Sequence, residues 1–303
     1  MMIALYIILG FVILVIVPHL LASYLIFLRF YRREEPEKIE ERFFHNDDYK
    51  NYYEVIKSAQ KELVKRNHKK VHINSFDGLT LYADYYPNYE KKIVVLVHGF
   101  KSNPMINFTV IADIFYKKGY SLLIVDQRAH GRSQGKYITY GYKEKVDVIS
   151  WVDYVDKNMN EKEIVLYGIS MGAASIALAS PRLAVKAIIL DSCFTSRTDL
   201  IKHLAPKNVF FKYLVLPFIN YYARLFARMP HKDFNVGDAL ERNKNKVIFL
   251  HGDIDRIAPL SFMEELYKKT KGKKYRIVVA GAPHSMPILE GKDEVVKELF
   301  LHI

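Results

Sequence analysis

Short apolar runs separated by helix-length stretches dominate the hydrophobic pattern from residue 93 onward. The runs are IVVLV (93–97), SLLIV (121–125), EIVLY (163–167), KAIIL (186–190), KVIFL (246–250) and YRIVV (275–279). Continuously apolar strands are typical of parallel sheets that helices cover on both faces. Their alternation with longer stretches indicates crossover helices. Ahead of them, VHINSF and LTLYADYY flank the turn Asp77-Gly78 and predict an antiparallel hairpin. We therefore expect an α/β fold with a mostly parallel, eight-stranded sheet and helices on both faces.

The first thirty residues form a separate apolar segment. From Met2 to Leu28 the sequence has no Asp, Glu, Lys or Arg, and this length is sufficient to cross a bilayer with some tilt. A cleaved signal peptide is the alternative, but the run is longer than usual and no Lys or Arg precedes it. We predict a transmembrane anchor over residues 1–30. Because Arg29, Arg32 and Arg33 follow the run directly, we expect a single-pass protein of the cell membrane with its main domain on the cytoplasmic side.

Three further segments follow the apolar run. Residues 31–69 are predicted to be a linker and an N-terminal helix, with the linker in the charged stretch 33–47, which contains Pro36, and the helix over 48–66. Residues 70–303 are predicted to form the main domain. Within it, residues 192–245 are too many for a simple crossover and indicate an insertion.

Composition and charge exclude several classes of protein. One cysteine, Cys193, excludes an internal disulfide framework and a cysteine-based zinc site. No H-E-x-x-H pattern occurs among the histidines, so we expect no structural metal and no cofactor. The net charge of +12 suits an anionic partner. Because no nucleic-acid-binding motif accompanies this charge, we expect a membrane surface and no nucleic acid.

Candidate chemistry lies at the end of the run EIVLY. Gly168-Ile169-Ser170-Met171-Gly172 is a G-x-S-x-G pattern, and a helix-forming segment follows it. A strand–turn–helix setting of this kind exposes a nucleophilic serine, and its glycines allow a tight turn and close packing. A serine hydroxyl needs a base and an orienting carboxylate. Asp253 and Asp255 follow KVIFL, and His284 follows YRIVV, so both groups are available after later strands.

From Val71 to the C-terminus the chain resembles α/β-hydrolases of the serine esterase, monoacylglycerol-lipase and serine-aminopeptidase type. The resemblance rests on the Ser–Asp–His order and on the blocks GISMG, HGF (98–100), DQRAHGRS (126–133) and HGDIDRIAP (251–259). It implies Ser170 as nucleophile, His284 as base and Asp255 as the orienting acid, with Asp253 as the alternative acid. It also implies that the backbone N–H groups of Phe100 and Met171 form an oxyanion hole.

Other polar residues in these blocks are expected to be structural. His98 and His130 are predicted to hold neighbouring turns through hydrogen bonds, because a second base is redundant beside His284. Asp126 and Arg128 are predicted to form a structural polar pair.

In the family that the chain resembles, the insertion is a helical cap over the active site, before the penultimate strand. Apolar positions recur at helical spacing through VFFKYLVLPFINYYARLFARM (209–229), which Pro217 is expected to divide into two helices. Phe211, Leu214 and Phe218 are candidates to line an acyl pocket, although the aromatic residues could instead pack the cap onto the sheet domain. The basic side of the cap is a candidate contact for anionic lipid.

The resemblance implies a serine hydrolase that cleaves carboxylic esters, with short to medium or lipid-like acyl groups, through an acyl-enzyme. The apolar, aromatic cap favours an ester over a charged peptide. An amide-cleaving serine peptidase or aminopeptidase is the alternative, and a membrane-tethered binding module without catalysis is a third interpretation.

Overall fold

The computed structural model describes residues 2, 3, 6, 10, 12–205 and 211–303. An eight-stranded sheet runs through this part of the chain. Its strands are β1 (Lys69–Asn74), β2 (Thr80–Tyr86), β3 (Lys92–Val97), β4 (Ser121–Val125), β5 (Glu163–Ile169), β6 (Ala187–Asp191), β7 (Val247–Gly252) and β8 (Lys274–Val279). The six apolar runs and the two hairpin segments of the sequence all become strands of this sheet.

The strand order is β1-β2-β4-β3-β5-β6-β7-β8. The pairs β1–β2 and β2–β4 are antiparallel, and all later pairs are parallel. The hairpin closes with Asn74 opposite Thr80, on either side of the predicted turn. The predictions of a mostly parallel, eight-stranded sheet and of an N-terminal hairpin are therefore confirmed.

The apolar runs are explained by burial on both faces of the sheet. In β3, Val94 and Leu96 belong to one hydrophobic cluster, whereas Ile93, Val95 and Val97 belong to the cluster on the opposite face. Because neighbouring side chains of a strand point to opposite faces, a strand that helices cover on both sides must be apolar throughout. The edge strand β8 differs, since only alternate residues such as Ile277 are buried there.

Helices pack on both faces of this sheet. They are α1 (Val17–Tyr31), α2 (Pro36–Phe44), α3 (Tyr53–Lys65), α4 (Pro104–Asn107), α5 (Thr109–Lys117), α6 (Glu144–Asn158), α7 (Met171–Ala179), α8 (Arg197–Leu204), α9 (Leu216–Ala227), α10 (Val236–Glu241), α11 (Leu260–Lys269) and α12 (Pro287–His302). Helices α8 to α10 lie in the insertion between β6 and β7. A π-helical turn, Phe211–Val215, precedes α9. Pro217 lies in the first turn of α9, where its missing N–H leaves no helical hydrogen bond unmade.

The helices that the structure describes do not support the prediction of a transmembrane anchor over residues 1–30. Among the residues that the structure describes, no helix has both the length and the apolar character required to cross a membrane. Part of the predicted segment, residues 1, 4, 5, 7–9 and 11, lies outside the described residues. The second half of the segment forms α1, in which Phe27 and Tyr31 are fully buried.

Aromatic contacts explain the burial of α1. Tyr24 and Phe27 contact Tyr222 and Phe226 of α9, with ring centroids 5.3–6.1 Å apart. The helix therefore packs against the insertion, because one face of each helix presents aromatic side chains to the other.

Most of the stretch 33–47, predicted to be a linker or a poorly packed segment, forms the helix α2. Pro36 occupies the first turn of this helix, where proline is favourable. Ile39 of α2 is buried. The helix predicted over 48–66 is confirmed as a 3₁₀ turn, Lys50–Tyr52, followed by α3.

Candidate active site

Ser170 lies in the tight turn between β5 and α7. Its φ of +53° and ψ of −112° are unusual for a residue other than glycine. Its N–H donates a hydrogen bond of 2.8 Å to the carbonyl of Asp191 at the end of the neighbouring strand β6. Gly172 allows α7 to approach β3 closely, since a Cβ at this position would lie 1.9 Å from the carbonyl oxygen of Val97. The turn therefore has the strained strand–turn–helix geometry that the sequence predicts.

His284 and Asp255 form a hydrogen-bonded pair in the loops after β8 and β7. The distance from His284 Nδ1 to Asp255 Oδ2 is 2.7 Å. The other oxygen of Asp255 accepts hydrogen bonds from the N–H groups of Ile257 and Ala258, at 2.9 and 2.8 Å. Asp253, the alternative acid, accepts a hydrogen bond from Gly281 N–H instead.

The surroundings of Asp255 favour its ionised form. Burial of this carboxyl would raise its pKa, but His284, its hydrogen bonds and His251 outweigh that effect and lower the pKa. The side chain is completely buried. An ionised carboxylate at Nδ1 fixes the imidazole with its Nε2 free to accept a proton.

Ser170 and His284 line the same cavity, which has a volume of about 580 Å³. No hydrogen bond joins the Ser170 hydroxyl to the His284 imidazole in the described part of the chain. Catalytic hydrogen bonds are often long or misaligned without substrate and tighten when it binds. The two side chains therefore share a cavity in an arrangement that substrate binding could tighten.

Two backbone N–H groups have no acceptor among the described residues, one in a residue that lines this cavity and one in the residue that directly follows Ser170. These are the N–H groups of Phe100 and Met171. On either side of Phe100, Gly99 N–H donates to Asn107 Oδ1 and Lys101 N–H donates to His130 Nε2. N–H groups that have no protein acceptor are suited to donate hydrogen bonds to a developing oxyanion.

His98 and His130 have the structural roles predicted for them. His98 bonds to the carbonyl of Gly99 and to the N–H of Gln127. His130 bonds to the carbonyl of Arg128 and to the N–H of Lys101. Burial lowers the pKa of both imidazoles, so both are neutral at neutral pH. These hydrogen bonds position the loop that carries Phe100.

The predicted pairing of Asp126 with Arg128 is wrong. Arg128 binds Asp147 and Asp77, at 2.6 and 3.0 Å, whereas Asp126 pairs with Arg132 at 2.7 Å. The two side chains leave the loop in different directions, so each finds a partner elsewhere.

Asp191 and Ser192 are site residues that the sequence analysis did not single out. Asp191 accepts hydrogen bonds from the hydroxyls of Tyr167 and Ser192, at 2.8 and 2.9 Å. Ser192 Oγ accepts a hydrogen bond from the N–H of Ser285, next to His284. Burial raises the pKa of the Asp191 carboxyl to about 7. A carboxylate directly after the buried run KAIIL was the available signal, because polar residues at that end of parallel strands meet at one edge.

The three cap residues predicted to line an acyl pocket lie in two different places. Phe211 lines the cavity. Leu214 is half-exposed, and its carbonyl accepts a hydrogen bond from His19. Phe218 contacts the His19 ring at 5.2 Å. Leu214 and Phe218 are not among the described cavity residues, because their part of the insertion faces the N-terminal segment. The cap residues that line the cavity are Leu200, Ile201, Leu204, Ala205, Phe211 and Ile219.

Part of the chain matches known sequences. Residues 88–223 match the profile of a family described as serine aminopeptidase, S33. The uncharacterized protein YqkD of Bacillus subtilis is 26% identical over 66% of this chain and 67% of its own length. The uncharacterized membrane protein YNL320W of Saccharomyces cerevisiae is 25% identical over 64% of this chain and 66% of its own length. The chain thus spans about two thirds of the length of these curated relatives.

A solved structure extends the similarity to most of the fold. The Pyrococcus furiosus esterase Pf2001 is 25% identical and superposes with a TM-score of 0.66, covering 80% of this chain and 92% of the esterase. The fold of the chain, the elbow at Ser170 and these similarities identify it as a hydrolase of the α/β-hydrolase superfamily.

Proposed function

We propose that the protein is a serine hydrolase that cleaves carboxylic esters with short to medium or lipid-like acyl groups through an acyl-enzyme. One observation carries the proposal. His284, fixed by a hydrogen bond of 2.7 Å to Asp255, lines the same cavity as Ser170, which lies in a strained elbow. A base, its orienting acid and a nucleophile are thus available at one cavity.

In the first step, Ser170 Oγ attacks the ester carbonyl carbon while His284 Nε2 takes the hydroxyl proton. The carbonyl oxygen becomes an oxyanion that accepts hydrogen bonds from the N–H groups of Phe100 and Met171. Each such donor contributes about 3–4 kcal/mol to transition-state stabilisation. When the tetrahedral intermediate collapses, the bond between the acyl carbon and the alcohol oxygen breaks, and His284 gives its proton to the leaving alcohol.

In the second step, water attacks the acyl-enzyme and His284 takes a proton from it. The carbon–oxygen bond to Ser170 then breaks, His284 returns the proton to Ser170 Oγ, and the carboxylic acid leaves. Asp255 remains ionised throughout and stabilises the imidazolium that forms in each step. Water is the only co-reactant that this cycle requires.

The character of the cavity supports an ester substrate over a peptide. Apolar side chains from α1, α2 and the cap line it, among them Phe30, Phe43 and Leu200. An aminopeptidase must bind the positively charged α-amino group of its substrate, which a carboxylate in the pocket would favour. No Asp or Glu is among the described residues that line this cavity.

An amide-cleaving peptidase is the second candidate, since the matching family profile carries the description serine aminopeptidase. Steady-state kinetics on 4-nitrophenyl esters of increasing chain length and on aminoacyl 4-nitroanilides distinguish the two. We expect higher kcat/KM for the esters, and faster cleavage of the anilides would overturn the choice of substrate class.

Variants of two serines test the nucleophile in the same assay. Ser170→Ala is expected to lower kcat by at least about 10⁴-fold. Ser150→Ala is the matched control, because the Ser150 hydroxyl donates a hydrogen bond to a carbonyl within α6 and Ser150 is not among the described residues that line the cavity. Equal activity of wild type and Ser170→Ala would contradict the proposal.

Location at the cell membrane, with the hydrolase domain on the cytoplasmic side, stays a prediction. The description of the yeast relative as a membrane protein supports it. Contact of the basic cap with anionic lipid is also a prediction. Alkaline carbonate washing of cell membranes tests attachment, and protease digestion of sealed vesicles tests the side. Recovery of the protein in the supernatant, or its digestion in intact cells, would contradict these predictions.

A further inference from the structure

The cavity at Ser170 has a charged part that the proposed ester cleavage does not use. Three basic side chains line it: Arg29 at the end of α1, Arg42 in α2, and Lys101 in the loop after β3. No acidic side chain is among the described lining residues. Arg29 and Arg42 are partly exposed, with 64% and 40% of their side-chain surface accessible, whereas Lys101 is buried.

One carboxylate, Glu34, lies beside these three cations. It pairs with Arg42 and lies 3.8 Å from Arg29 and 4.0 Å from Lys101. Glu34 is not among the lining residues, so it faces the cations from outside the cavity. Three positive charges against one negative charge leave an excess of positive charge on the cavity side.

Hydrogen bonds to the backbone hold the basic residues together. Lys101 Nζ donates to the carbonyl of Arg29 at 2.6 Å, and Arg42 Nη2 donates to the carbonyl of Lys101 at 2.7 Å. These bonds tie the two N-terminal helices to the loop that carries Phe100. Burial lowers the pKa of Lys101 to about 8, so the ammonium is still mostly protonated at neutral pH. The Lys101 ammonium and the Arg42 guanidinium are therefore held in place before any ligand binds.

The basic residues lie close to the proposed reaction centre. Lys101 directly follows Phe100, whose N–H we assign to the oxyanion hole. The remaining wall is apolar and includes Ile39 of α2 and Leu204 of α8. A ligand that fills this cavity therefore meets apolar side chains and positive charge together.

We infer that the substrate is an anionic amphiphile: an ester with an apolar acyl chain and a carboxylate or phosphate group that binds Arg29, Arg42 and Lys101. This inference rests on the proposed ester hydrolysis for its chemistry. The anionic group takes no part in bond making or breaking. It fixes the position of the ester, and guanidinium groups bind carboxylates and phosphates through charge-assisted hydrogen bonds.

Three esters with the same chain length test the inference. They are 1-decanoylglycerol, which is neutral, 1-decanoylglycerol 3-phosphate, with the charge on the alcohol, and the glycerol monoester of decanedioic acid, with the charge on the acyl chain. We expect at least one charged ester to have a kcat/KM about 10-fold above that of the neutral ester. The charged ester that is preferred identifies which side of the scissile bond carries the anion. A kcat/KM for both charged esters at or below that of the neutral ester would overturn the inference.

Variants of the basic lining residues test which side chains bind the anionic group. Arg42→Gln and Arg29→Gln are each expected to lower the ratio of charged to neutral kcat/KM about 5-fold. Lys38→Gln is the matched control, because this substitution removes the same charge from α2. Lys38 is exposed and is not among the lining residues. Its ratio should equal that of wild type. Equal ratios in all three variants and wild type would contradict the inference.

A binding measurement separates this inference from the proposed function. Calorimetry with decyl phosphate and with decanol on Ser170→Ala requires no turnover. We expect decyl phosphate to bind about 10-fold more tightly than decanol, and the difference to shrink in the double variant with Arg42→Gln. Tighter binding of decyl phosphate without ester cleavage by wild type would contradict the proposed function, and only the binding of an anionic group by the three basic residues would then stand. Equal binding of the two probes would overturn the inference, even if neutral esters are cleaved.

Discussion

Replacement of Gly172 by alanine tests how the packing of α7 supports the site. The added Cβ would lie 1.9 Å from the Val97 carbonyl oxygen and 2.7 Å from the carbonyl oxygen of His98. Both oxygens belong to rigid backbone at the end of β3. Non-bonded carbon–oxygen contacts are normally longer than about 3.2 Å, so α7 and this backbone must separate by roughly 1 Å.

This separation would widen the proposed oxyanion hole. Met171 begins α7, and Phe100 follows the backbone that the new Cβ would meet, so the two N–H donors would move apart. A displacement of about 1 Å costs roughly 10²-fold in rate, and we expect kcat/KM of Gly172→Ala on esters to fall by this factor. Overpacking is also expected to destabilise the protein by about 1–3 kcal/mol.

The control is a glycine whose replacement costs stability away from the site. A Cβ at Gly272 has no atom within 4 Å, but its φ of +84° is strained for alanine, which costs about 1–2 kcal/mol. Measuring kcat/KM of both variants well below their unfolding temperatures distinguishes a change in catalytic rate from a loss of stability. Gly172→Ala with a kcat/KM within about 2-fold of wild type would refute the reasoning, as would an equal rate loss in Gly272→Ala.

Three further predictions concern the acid, the N-terminal helix and the buried carboxyl. Asp255→Asn should lower kcat on esters about 10⁴-fold while Asp253→Asn stays near wild type, and the reverse order would exchange their roles. Phe27→Ala should lower the free energy of unfolding in urea by about 3–5 kcal/mol. Leu25 is exposed on the same helix, so Leu25→Ala should change this free energy by less than about 1 kcal/mol. Equal effects of the two substitutions would contradict the packing of α1. Because the folded pKa of Asp191 is raised to about 7 above its unfolded value, its ionisation costs stability above pH 7, and this cost is relieved as pH falls towards 4. From about pH 8 to pH 5, the free energy of unfolding of wild type should therefore rise by about 2–3 kcal/mol relative to that of Asp191→Asn. A difference in thermal stability between the two proteins that does not change with pH would contradict the raised pKa.

Features that depend on local burial could be predicted from the sequence. The apolar runs identify strands because helices cover both faces of the sheet, as the opposite clusters of Val94 and Val95 illustrate. Ser170, Asp255 and His284 each follow such a run. Because the carboxyl ends of parallel strands lie at one edge of the sheet, the parallel strands place all three residues at that edge.

Features that depend on distant partners could not be predicted. An apolar segment has the same composition whether it faces lipid or protein, so nothing in residues 17–31 indicated that Phe27 meets Phe226, about two hundred positions away. The residues that line the cavity could not be predicted for the same reason, since Arg29 and Arg42 lie near Lys101 only after the N-terminal helices pack on the domain. The direction of a side chain within a loop also escapes sequence analysis, as the partner of Arg128 illustrates.

Labelling with a fluorophosphonate probe tests the central claim most directly, because the probe reacts with serines that a neighbouring base activates. The purified protein is treated with the probe, and mass spectrometry of the digest locates the modified residue. We predict that wild type is labelled on Ser170, that Ser170→Ala is not labelled, and that His284→Ala reacts far more slowly. A folded wild-type protein that takes up no probe, or takes it up at another residue, would contradict the account.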